Sequence, residues 1–81
     1  MTLVLDCRGQ RCPLPVIVLA RRIGEVELGH RVRVEADDPA APNDIAAWCR
    51  MRGHTYVGVE PQPDGVPGIV VRRDQGPGST D

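Results

Sequence analysis

Nucleophilic and metal-ligating chemistry in this chain rests chiefly on three cysteines, Cys7, Cys12 and Cys49, and two histidines, His30 and His54. Cys12 stands apart because it opens the run Cys12-Pro13-Leu14-Pro15. The apolar spacing behind it (Val16, Ala20 and Ile23, with Ile17 and Leu19 beside them) predicts a helix from Pro13 to about Gly24. Cys12 is then expected at the N-cap and Pro13 at the first helical position, where a missing N–H costs nothing. Pro15 falls in the same unpartnered turn, which leaves the Leu14 N–H as the donor expected to face a sulfur anion. A helix N-terminus stabilises an exposed anion by about 0.3–1 kcal/mol, less than the 1.36 kcal/mol (roughly) of one pKa unit. With that N–H and a nearby Arg8 or Arg11 added, a fall of about one or two units from a free-thiol value near 8.5 is expected.

What accompanies Cys12 narrows the chemistry. A dithiol oxidoreductase needs a second cysteine at Cys-x-x-Cys spacing, and Pro15 holds that position. A cysteine hydrolase needs an oriented base, and neither His30 nor His54 has an evident orienting partner. A nucleophilic sulfur with neither resolving thiol nor base suits passing a sulfur atom between thiols. Cys7, at the end of a strand, and Cys49, on a helix stripe, are expected to be small core residues. The rival reading is a thiol redox switch joining Cys7 and Cys12, which requires their Cα atoms within about 7 Å. A zinc site built from the cysteines and His54 lacks a Cys-x-x-Cys pair, so no metal is expected. His54, following Gly53, reads as a helix-end cation or strand-start contact, and His30 as loop surface.

Composition removes other classes. Ten basic residues, all arginine, balance eleven acidic ones for a formal net charge of −1, and the aromatic residues are one Trp and one Tyr. That leaves neither an electrostatic footprint nor stacking platforms for direct nucleic-acid binding. The apolar run from Pro13 to Ala20 is too short to span a membrane and lacks a cleavage site, so no membrane association or signal peptide is expected. An odd cysteine count without an export signal points to reduced thiols in the cytoplasm.

The 81 residues suit one small domain, expected over 1–73, with 74–81 (DQGPGSTD) as a frayed tail. Thr2 to Asp6 reads as a first strand buried on both faces, and Cys7 to Gln10 as the turn after it. In that turn Gly9 is expected to supply a positive φ and Asp6 to accept N–H groups. Arg31 to Ala36 alternates as a half-buried strand. Asp37-Asp38-Pro39 ends it, and the two carboxylates are expected to cap the approaching helix or face solvent. A second helix runs from about Ala41 to Arg52, with Pro42 in its first turn, Ile45, Trp48 and Cys49 inward, and Gly53 as its stop. Strands follow at Thr55 to Glu60 and Gly68 to Arg73, with Asp64-Gly65 as a turn. The order β-α-β-α-β-β predicts an α/β two-layer sandwich: a mixed four-stranded sheet with two helices on one face.

Leu5 to Pro15 (LDCRGQRCPLP) resembles the signature of the TusA/SirA family of small sulfur carriers. Ala36 to His54 (ADDPAAPNDIAAWCRMRGH) resembles that family's second motif, and the likeness runs from about Leu3 to Val71. It implies a fold like the C-terminal domain of bacterial translation initiation factor three, with Cys12 carrying a persulfide. Pro13, Leu14, Pro15, Arg11, Asp6 and Gly9 would then support that site, with no cofactor. The resemblance further implies a cysteine desulfurase or rhodanese as donor and a downstream thiol-bearing acceptor protein. That acceptor would belong to tRNA thiolation, molybdenum-cofactor or sulfur metabolism. It also implies a docking role for an acidic residue near the sulfur, here Asp37 or Asp38. Val18 stands where many relatives carry a polar or charged residue, so partner contacts along the first helix are expected to differ.

Overall fold

The computed structural model describes residues 2–76. The elements are β1 (Thr2–Asp6), α1 (Leu14–Arg22) with a short 3₁₀ turn at Ile23–Glu25, β2 (Arg31–Glu35), α2 (Ala41–Arg52), β3 (Thr55–Glu60) and β4 (Gly68–Arg72). They build one four-stranded sheet in the order β1-β2-β4-β3. β1 lies parallel to β2, whereas β4 runs antiparallel to both β2 and β3. The expected mixed sheet carrying two helices is therefore the observed architecture. The α1 crossover carries the chain from β1 to its parallel neighbour, as parallel pairing requires.

Alternation in β2 sends Val32 and Val34 into the core and leaves Arg31, Arg33 and Glu35 on the other face. Leu5, Ile69 and Val71 join Val32 and Val34 from the sheet side. Leu19, Ile23, Ala41, Ile45, Trp48 and Cys49 close the layer from the helical side. α2 keeps its expected limits. Gly53 ends it in the left-handed conformation (φ 80°), with its N–H on the Cys49 carbonyl, which a residue without Cβ adopts at no steric cost.

Two elements differ from expectation. β1 is an edge strand, not one buried on both faces: only Leu5 is fully buried along it, and Val4 is 42% exposed. The sequence run of Leu and Val cannot report which strand ends the sheet. α1 begins at Leu14 with Pro13 as its cap residue, one position later than expected, and its last turn tightens at Ile23. Its core stripe is Pro15, Leu19 and Ile23, while Ile17 stays 40% exposed. Pro15 is thus a core residue as well as a helix starter, which moves the buried stripe off Val16 and Ala20.

Of the expected tail 74–81, residues 77–81 lie outside the described residues. Asp74 pairs with Arg72 at 2.7 Å and accepts from the Thr55 hydroxyl. Its N–H donates to His54 Nδ1 at 3.1 Å.

Candidate functional site

Both parallel strands deliver their C-terminal ends to one edge of the sheet, where α/β folds place their sites. The loop leaving β1 stays on the sheet for one more bond, Cys7 N–H to the Glu35 carbonyl at 2.8 Å. It then turns through Arg8 and Gly9. Asp6 accepts the Arg8 N–H at 3.2 Å and the Arg8 guanidinium at 2.8 Å. Gly9 has φ 81°, so both turn residues take their expected parts. The ion pair also holds the Asp6 carboxyl down at about 2, through the Arg8 side-chain and backbone hydrogen bonds. Arg8 reaches Asp64 at 3.1 Å as well. This guanidinium therefore serves two carboxylates, not a sulfur anion.

The second half of the loop is held from across the molecule. Asp37 accepts the Gly9 N–H at 3.1 Å, and Asp38 accepts the Cys12 N–H at 2.8 Å. The other Asp38 oxygen accepts the Ala40 N–H at 3.0 Å, at the entry to α2. Neither carboxylate caps α2 as expected: the helix has no side-chain cap bond, Asp37 binds only the cysteine loop, and Asp38 binds that loop and closes a tight turn onto Ala40 just before the helix. An open polar groove of about 340 Å³ runs between the two loops, lined by Gly9, Gln10, Arg11, Asp37, Asp38 and Pro39.

Cys12 is half-buried, whereas Cys7 and Cys49 are sealed in the core at 0% and 1% exposure. The Cys12–Pro13 peptide bond is cis. The Leu14 N–H donates to the Arg11 carbonyl at 2.8 Å, so the donor expected to face the sulfur is spent inside the turn. Leu14 itself is 49% exposed beside the cysteine.

The electrostatics of the thiol reverse the expectation. Burial, then the Asp44 carboxylate acting as hydrogen-bond acceptor and as charge, then the Asp38 charge, push Cys12 up to about 11. A dipole effect of less than about one unit is outweighed, because a carboxylate near a thiol disfavours its anion. Neither Arg8 nor Arg11 is among the groups acting on it; Arg11 instead helps to hold Asp38 ionised. Asp44 is the residue the sequence reading passed over. It stands in the first turn of α2, a usual place for an acidic residue, and nothing local says that α1 packing will bring Cys12 to it.

His54 is a buried neutral ring, not a helix-end cation. It is 8% exposed, stacks on Trp48 with ring centroids 5.2 Å apart, and accepts the Asp74 N–H. Among the described residues no three His, Cys, Asp or Glu side chains converge in a way that could hold a metal ion.

Residues 3–73 match the sequence profile of the family described as Sulfurtransferase TusA. This chain belongs to the TusA sulfurtransferase family. It is similar to NMA0882, a candidate sulfur carrier protein of Neisseria meningitidis, with 37% identity over 68 residues, covering 84% of this chain and 90% of that one. It is also similar to YrkF, a candidate sulfur carrier protein of Bacillus subtilis, with 34% identity over 59 residues. That match covers 73% of this chain and 32% of YrkF, so the TusA-family domain spans about a third of that relative's length. Among solved structures, the SirA-like protein of Desulfitobacterium hafniense shares the fold at a TM-score of 0.75 and 24% identity, over 93% of this chain and 100% of that one. Among the described residues no helix of this TusA-family member is long and apolar enough to cross a membrane.

Proposed function

We propose that this chain is a cytoplasmic sulfur carrier in which Cys12 receives sulfane sulfur as a persulfide and hands it to a partner thiol. Family membership supports the sulfur-transfer class. The observation that carries the residue assignment is that Cys12 is the one cysteine of three with access to solvent. The reaction balances without a cofactor. The Cys12 thiol loses its proton, its sulfur attacks the terminal sulfur of a donor's persulfide, and a new S–S bond forms on Cys12. The donor's S–S bond breaks, and the donor cysteine leaves as a thiolate that takes up a proton. Unloading is the same exchange with the acceptor thiolate as attacker.

A cysteine desulfurase or a rhodanese-type enzyme is the donor class for such a step, and a thiol-bearing protein the acceptor. The exposed Leu14 and Ile17 give such a partner an apolar footing beside Cys12. Asp37 is the acidic docking contact of the proposal, since it is exposed while Asp38 is half-buried. The redox-switch alternative is disfavoured because Cys7 is sealed and desolvation pushes its thiol up.

Incubation with a cysteine desulfurase and cysteine, followed by intact mass measurement, tests the assignment. Cys7→Ala should gain one sulfur atom as the parent chain does, and Cys12→Ala should gain none. Loading of Cys12→Ala would remove the assignment.

A further inference from the structure

Asp38 hydrogen-bonds both the cysteine loop and the entry to α2, and its two oxygens are divided between them. One accepts the Cys12 N–H at 2.8 Å, the other the Ala40 N–H at 3.0 Å. Its own carbonyl accepts the Ala41 N–H at 3.0 Å, where α2 begins. The residue therefore bolts the backbone of Cys12 to the start of the helix that carries Asp44. Asp37 fastens only Gly9, earlier in the loop. Cys12 itself lies outside α1, two positions before its first residue, so no helical hydrogen bond fixes its backbone.

We infer that Asp38 is a positioning residue for sulfur transfer: it holds Cys12 by the backbone amide and ties that amide to the entry of α2. This rests on the carrier reading and deepens it. The logic is a competition between two effects of one carboxylate. As an acceptor it fixes the reacting sulfur's backbone, and misplacement of a reacting atom by an ångström costs about a hundredfold in rate. As a charge it opposes ionisation of the same sulfur, together with Asp44. The groups concerned come from three segments: Asp38 from the loop after β2, Asp44 from α2, and Arg11 from the cysteine loop, which acts on Asp38.

Asp38→Asn separates the two effects, because an amide has one acceptor oxygen where the carboxylate uses two, and it carries no charge. Alkylation of Cys12 by iodoacetamide should rise at pH 8, with the thiol's apparent pKa falling by about half a unit or more. Sulfur loading from a desulfurase should fall by about ten- to a hundredfold. A role limited to overall folding would not move these two readouts in opposite directions. Loading at the parental rate, or loading and alkylation changing in the same sense, would overturn the inference.

The unmodified protein supplies an arm that needs no variant. In a ¹⁵N-labelled sample the Cys12 and Ala40 amide signals should shift together with a midpoint below the ordinary aspartate value, following Asp38. Cys12 and Ala40 signals that ignore that titration would overturn the clamp directly. Failure of the carrier reading would look different: Cys12→Ala would still load.

Discussion

At the scale of single residues, the sulfur proposed to carry the transferred atom is one whose surroundings favour the thiol. With its thiol at about 11, only about one Cys12 in ten thousand is ionised at pH 7. Alkylation of Cys12 in the isolated protein should therefore climb about tenfold per pH unit from 7 to 10. A plateau near pH 8 would contradict the acidic surround. Asp44→Asn should lower the thiol's pKa and speed alkylation at pH 8, since Asp44 acts on Cys12 both as acceptor and as charge; an unchanged rate would exclude it. Part of the geometry around the candidate site was legible in the sequence. The Cys-Pro-Leu-Pro run singled out Cys12, and the turn chemistry of Asp6 and Gly9 followed from their positions. The ionisation was not legible, because Asp38 and Asp44 lie far along the chain and reach Cys12 only through packing.

At the scale of elements, α2 was readable to the residue because its signals are local: Pro42 in the first turn, an apolar stripe, a terminal glycine. Gly53→Ala should destabilise the fold by about 1 kcal/mol in urea unfolding. It forces a side chain onto φ 80° and into contact with Gln75 Cγ at 2.9 Å; an unchanged midpoint would mean that the cap relaxes freely. Ile45→Ala, at a fully buried position facing the sheet, should cost about 2–5 kcal/mol. α1 was misread by one residue for a reason that matters to the site. Pro13 satisfies the first helical position on sequence grounds, but the Arg11–Leu14 turn bond captures the N–H that was expected to serve the sulfur. The edge position of β1 was equally invisible, since burial on its outer face depends on what the sheet order places there.

At the scale of the whole molecule, the sheet gathers the C-terminal ends of β1 and β2 at one edge, and the loops there carry Asp6, Cys12, Asp37 and Asp38. The far end is closed by a contact that pH can loosen. His54 must be neutral at Nδ1 to accept the Asp74 N–H, and burial, opposed by Asp74 and assisted by Arg73 and Arg52, keeps its pKa below the ordinary histidine value. The unfolded chain then binds the proton more readily, so this contribution is complete above about pH 6.5 and is lost as the pH falls through the lower folded value. The midpoint of thermal unfolding should drop between pH 7.5 and 5, and His54→Phe should flatten that decline; an equal slope in the variant would contradict it. Reading β-α-β-α-β-β from the sequence foresaw the two-layer sandwich, whereas this buried imidazole was hidden behind a helix-stop glycine. The residence of the transferred sulfur distinguishes Cys12 from the two sealed cysteines. Arginines at positions 8, 11, 21, 33 and 50 place Cys7, Cys12 and Cys49 in three separate tryptic peptides. After loading by a desulfurase with cysteine, the added sulfur atom should be found on the Cys12 peptide alone; finding it on the Cys7 or Cys49 peptide, with the Cys12 peptide unmodified, would contradict the account.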